Sequence, residues 1–252
     1  MNLYSKAFSI SSYDLDPSGK ARLTSMAHFF QELAYHHASQ LGFGYQDMKA
    51  KQTTWVLSRM RIRMDRYPAW NERIFMETWP SGVDKLFALR DFRIKDRAGK
   101  VMGVASTAWL ILDLETHRLI RPKEALEHFK LIVHPERVFE DPLDKIELPE
   151  ETRPLHSHAV AYSDLDIIGH VNNVKYMEWC IDSVSTRRDP EQEIREFEIN
   201  FNQEALLGDE IEISGQTLNQ AQTIFLARRK GDGKEIIRAR MIRNESHTGR
   251  LS

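Results

Sequence analysis

One cysteine, Cys180, is all that this 252-residue chain contains. No disulfide can close within it, and such usage suits a reducing compartment, which predicts a cytoplasmic protein. Charge of either sign is also without excess: 35 basic and 37 acidic side chains leave a formal net charge of −2. A nucleic-acid binder would need a marked basic surplus, so no nucleic acid is expected among its partners. No apolar run reaches membrane-spanning length, and the opening MNLYSKAFSISSYDLD lacks the continuous apolar core of a signal peptide. The ten histidines form no tight metal-ligand cluster. His36 and His37 are adjacent and point in different directions on a helix, so no metal site and no cofactor is read. What remains, at 41% hydrophobic residues, is a globular protein of one large or two ordinary domains.

Helix and turn signals divide the chain. Met26, Phe29, Phe30, Leu33 and Ala34 fall at helical spacing, and LGFG at 41–44 stops that helix. Strand-like runs follow at 53–64, 73–79, 86–96 and 101–114, the last two flanking Ala98-Gly99-Lys100. Residues 128–155 then hold four of the nine prolines (Pro135, Pro142, Pro149 and Pro154) among many charges, which predicts a surface-packed linker. Beyond it the order recurs. Val174, Met177, Ile181 and Val184 mark a helix face, and strand-like runs follow at 193–202, 210–218, 223–230 and 235–243. The expected divisions are 1–127, 128–155 and 156–252. The predicted fold is α+β, each half a helix wrapped by a strongly bent antiparallel sheet.

The two halves also share a phrase. DLD begins at 14 and again at 164, an offset of 150, while Ile62/Ile199, Met64/Phe201 and Ile74/Ile211 agree at 137. A duplication with a longer loop in the first copy accounts for both offsets. Only the second copy, in DLDIIGHVNNVKYMEW, follows its glycine with a histidine and two asparagines; the first has Lys20 there. Gly169 permits a sharp entry into the helix, and Asn172 or Asn173 can cap its first turn. Unpaired amides near Gly169, Val171 and Asn172, with the positive end of the helix dipole, suit an oxyanion. Asp166 and His170 bring an acid and a base to the same loop. As an isolated pair they also fit a turn-supporting carboxylate and a hydrogen-bonded core histidine.

The whole phrase resembles the hot-dog thioesterase pattern D-x-D-x-x-G-H-V-N-N, and specifically the plant and bacterial acyl-acyl-carrier-protein (acyl-ACP) thioesterases. LGFGYQDM, TTWVLSRMRIRMDRYPAWNERIFMETWPSG and ASTAWLILDLETHRLIRP resemble family segments in the same order, so the likeness covers most of residues 3–215. The resemblance implies a tandem double hot-dog that hydrolyses fatty acyl-ACP, with ACP as partner. It carries the catalytic aspartate and histidine onto Asp166 and His170. Glu204, in INFNQEA, best matches the family glutamate, beside Ala205 where the family has cysteine. Ile168 stands where the plant enzymes carry a catalytic asparagine. Isoleucine cannot donate a hydrogen bond, so a mechanism using that amide does not transfer.

Several roles follow as expectations. His170 and Glu204 position or deprotonate water, and Asp166 orients the histidine or acts as the base; a covalent route through a carboxylate stays open. Met26, Phe29, Phe30, Trp55, Leu57 and Met60 are the candidate lining of an acyl slot in the first half, although each taken alone reads as core. Arg59, Arg61 and Arg63 share one face of a strand by alternation and form a candidate dock for an acidic carrier. Cys180 reads as a buried small hydrophobe. The alternatives are an acyl-CoA thioesterase of the same fold and a non-catalytic acyl-binding protein. Retention of acid, histidine and glutamate together weighs against the latter. The chain either stays single or pairs as a homodimer.

Overall fold

The computed structural model describes residues 3–122, 133–185, 194–219 and 221–244. The chain divides into two compact units, Met1–Asp144 and Lys145–Ser252.

In the first unit, helix α1 (Leu23–Gln40) buries Met26, Ala27, Phe30, Leu33, Ala34 and His37, a stripe at helical spacing. Gly42, at φ +76°, takes the left-handed conformation that ends it. A short helix α2 (Tyr45–Ala50) follows, its start fixed by the Gly44 N–H donating to Asp47 at 2.9 Å. The strands are β1 (Tyr4–Ser9), β2 (Thr53–Met64), β3 (Arg73–Asp84), β4 (Phe87–Lys95), β5 (Val101–Asp113) and the short β6 (Leu119–Ile120). They pair antiparallel in the order β1-β3-β4-β5-β2, with β6 beside β5.

An antiparallel sheet with one wet face shows alternating burial. Yet Thr78–Ser81, Leu89–Phe92 and Met102–Ala108 are continuously buried. One face meets α1, as Phe30 against Phe92 shows. The other is covered by the segment after the sheet. Trp79 Nε1 donates to the Glu136 carbonyl at 2.9 Å, and Arg93 pairs with the Glu136 carboxylate. Asp91, fully buried, accepts from Ser106 Oγ (2.6 Å) and the Val138 N–H (3.0 Å) and lies 3.3 Å from Arg137. Residues 133–152 carry no helix or strand, and the part of them in this unit, up to Asp144, acts as a strap rather than a loose tether. Residues 128–132 of the expected linker lie outside the described residues.

The second unit contains β7 (Arg153–Ala159), helix α3 (Asn173–Val184), β8 (Ile194–Phe201), β9 (Glu210–Thr217), β10 (Gln222–Arg229) and β11 (Glu235–Arg243). Its sheet order, β7-β9-β10-β11-β8, repeats that of the first unit strand for strand. Ile62 and Ile199, and likewise Ile74 and Ile211, are all fully buried, which explains their agreement across the repeats. β1 and β7 carry no strand prediction. Both are polar edge strands, and β7 contains Pro154, so neither shows the apolar alternation that marks a strand.

Candidate active site

The turn entering each helix is built the same way. In the second unit the Asp166 N–H donates to the His170 carbonyl (2.8 Å), and the Gly169 N–H to the Asp166 carbonyl (3.1 Å). Asp166 Oδ1 accepts from the amides of Ile168 (2.9 Å) and His170 (3.3 Å). The first unit repeats all four bonds with Asp16, Ser18, Gly19 and Lys20 at 2.8, 3.0, 2.8 and 3.3 Å. Gly19 and Gly169 have φ of +79° and +86° with open space where a Cβ would stand, so backbone conformation rather than crowding requires glycine. The duplicated phrase therefore encodes one turn, made twice.

Only the second turn carries an imidazole, and it meets a carboxylate from another loop. His170 Nδ1 lies 3.3 Å from Glu204 Oε2, both side chains substantially exposed. Two bonds bring those loops together. The Val171 N–H donates to the Ala205 carbonyl (3.1 Å), and the Ala205 N–H donates to the buried Tyr176 hydroxyl on α3 (3.0 Å). Burial pushes the Tyr176 phenol well above its usual range, so it stays neutral. Sequence reasoning missed Tyr176, because a tyrosine on an apolar helix stripe carries no mark of which backbone group its hydroxyl will meet.

The carboxylate beside the imidazole is thus Glu204, while the bonds of Asp166 go to backbone amides. The expected oxyanion donors need correction too. The amides of Gly169, Val171 and Asn172 donate to the carbonyls of Asp166, Ala205 and Asp164. Closing the turn consumes the groups that were expected to face a substrate. Asn172 instead caps α3, its Oδ1 accepting from the Val174 N–H at 3.0 Å.

Other predicted residues scatter. Met26, Phe30, Leu57 and Met60 are buried in the first unit, with Phe30 against Phe92. Phe29 instead stacks on Phe8 at 4.7 Å, and Trp55 packs on Phe43 and donates to its carbonyl. Phe29 and Trp55 thus have ring partners outside the set. A cavity of about 430 Å³ in this unit is lined by Leu3, Tyr4, Ser5, His37, Gln40 and Leu41, none of them in that set. Arg59, Arg61 and Arg63 are not a bare cationic face: Arg59 lies over Phe87 and donates to the Leu143 carbonyl, and Arg61 and Arg63 lie over Phe139. The strap occupies the surface on which a carrier was expected. Cys180 is fully buried, and burial raises its thiol far above the usual range, which leaves it unreactive. Among the described residues no group of three or more histidine, cysteine or acidic side chains could hold a metal. No described helix is long and apolar enough to cross a membrane.

Residues 1–129 match the acyl-ACP thioesterase N-terminal domain, and residues 148–245 match the C-terminal domain of the same enzymes. The chain belongs to the acyl-ACP thioesterase family. Among similar proteins, oleoyl-acyl carrier protein thioesterase 1 of Arabidopsis thaliana, chloroplastic, is 27% identical over 93% of this chain and 74% of its own. An acyl-ACP thioesterase crystal structure from Bacteroides thetaiotaomicron is 26% identical, covers 96% of this chain and 98% of its own, and has a TM-score of 0.87. The 12:0-ACP thioesterase of Umbellularia californica, at 21% identity and a TM-score of 0.81 over 96% of this chain and 97% of its own, supports the fold. In this acyl-ACP thioesterase the tandem hot-dog halves are the two units described above, and the His170–Glu204 pair lies in the half matched by the C-terminal domain.

Proposed function

We propose that this acyl-ACP thioesterase hydrolyses fatty acyl-ACP to free fatty acid and ACP at the 164–173 turn, with His170 as general base and Glu204 orienting it. The observation that carries the reading is the 3.3 Å contact between His170 Nδ1 and Glu204. A carboxylate on the Nδ1 side favours the tautomer that carries its proton there, which leaves the Nε2 lone pair for water. Water deprotonated by Nε2 attacks the thioester carbon, and the imidazolium returns the proton to the departing carrier thiol. Positive potential at the start of α3 favours the negative charge that develops on the carbonyl oxygen. Asp166 keeps the turn closed by accepting from the amides of Ile168 and His170. Glu204 is already engaged with the imidazole, which supports water attack over a carboxyl-bound intermediate. The acyl chain is assigned to the first unit, with Met26, Phe30, Leu57 and Met60 as its apolar contacts.

Turnover of matched acyl-ACP and acyl-CoA series tests the reading. The expected outcome is faster hydrolysis of acyl-ACP at every chain length that reacts. Preference for acyl-CoA would replace the carrier assignment, and hydrolysis of neither would contradict the reaction.

A further inference from the structure

Asp164 is buried at 5% exposure and anchors the catalytic turn at both ends. Its Oδ2 accepts from the Ala161 N–H (2.9 Å) at the entrance, and its carbonyl accepts from the Asn172 N–H (2.8 Å) at the exit. Asp14 does the same in the first unit, accepting from the amides of Ser11 and Arg22 at 2.8 Å each. One partner differs between the copies. His158 on β7 places Nε2 2.8 Å from Asp164 Oδ2 and stacks on Trp179 of α3 at 4.3 Å. Phe8 holds the matching place in β1 and stacks on Phe29, at 4.7 Å, the residue matching Trp179. The sheet register confirms the match: Phe8 pairs with Ile74, and His158 with Ile211. Two stacked rings in one architectural position have thus diverged, and only the copy bearing His170 and Glu204 has a ring that donates a hydrogen bond.

We infer that His158 is a positioning residue for the reaction, its Nε2–H fixing the carboxylate of Asp164, the residue whose side chain holds the entrance of the His170 turn and whose backbone carbonyl holds its exit. This rests on the proposed reaction at that turn. Asp164 accepts only, so Nε2 carries the proton and the bond is charge-assisted, roughly twice as strong as a neutral one. The Ala161 amide and the His158 ring converge on the same oxygen, so a donor held in place by stacking on Trp179 strengthens the hold on Oδ2 at the entrance of the turn. The first copy, with no imidazole to aim, manages with the amide alone.

The test compares His158→Phe, which installs the first copy's solution, with His158→Gln, which keeps an amide donor. Single-turnover hydrolysis of acyl-ACP, KM, thermal melting and amide exchange at Ala161 and Asn172 are measured in the full chain. His158→Phe should slow the chemical step about tenfold, the scale of one lost charge-assisted bond, with KM nearly unchanged and both amides exchanging faster. His158→Gln should recover most of the rate and the protection. Wild-type rates and exchange in His158→Phe would overturn the inference. Equal losses in both variants would also overturn it, by placing the effect in ring packing. A wild-type chain that does not hydrolyse acyl-ACP would remove the proposed reaction, while the exchange rates would still decide whether His158 holds the turn.

Discussion

Glu204 is more than half exposed, and an exposed ion pair ordinarily contributes little to stability. Its value here lies in geometry, and that geometry depends on Tyr176 receiving the Ala205 amide. Tyr176→Phe removes the acceptor and leaves the amide unpaired, a cost of about 1–3 kcal/mol for a buried donor. The expected result is a several-fold lower kcat with smaller change in KM, alongside a slightly lower melting temperature. Glu204→Gln should act on the chemistry alone, lowering kcat by about 10²-fold, the lower end of general-base effects, without loss of stability. A Glu204→Gln enzyme with wild-type kcat would remove the orienting role. That Asp166 and His170 share one tight turn was legible in the sequence, because the phrase around them is local. Glu204 was legible only through family resemblance, because its 3.3 Å approach to the histidine is a loop-to-loop contact without local signature. The oxyanion expectation failed for a specific reason: sequence shows which amides a turn contains but not which acceptors close it. Ile168, half exposed in the same turn, offers no side-chain amide at that position.

At the scale of elements, the strap over the first sheet was readable as irregular structure from its prolines. Its attachment was not, because that depends on single contacts such as Val138 with Asp91. Asp91 is fully buried and gathers Ser106, the Val138 amide and Arg137. Asp91→Ala leaves those donors unmatched beneath the strap and should destabilise the chain by about 3–5 kcal/mol, as expected for breaking a buried charge cluster. Urea denaturation measures this, and proteolysis near Arg137 should accelerate in parallel. A loss below about 1 kcal/mol, in the range of surface substitutions, would mean the strap is held by its aromatic contacts instead. The same strap covers Arg59, Arg61 and Arg63. Alternation placed these arginines on one face, but whether a face is wet is set by chain that returns much later in the sequence.

For the whole molecule, duplication accounts for sheet order, turn geometry and the two sequence offsets together. It also separates what the fold needs from what the reaction needs. Bonds common to the Asp16 and Asp166 turns serve the fold, while His170, Glu204 and His158 occur in the second copy alone. The central claim is one catalytic turn per chain, and single-turnover hydrolysis of acyl-ACP by His170→Ala and Lys20→Ala tests it most directly, since these are matching positions of the two turns. The account predicts that His170→Ala loses at least about 10²-fold in the chemical step, while Lys20→Ala keeps the wild-type rate, both variants melting as the parent does. Comparable losses in the two variants, or an undiminished rate in His170→Ala, would contradict it.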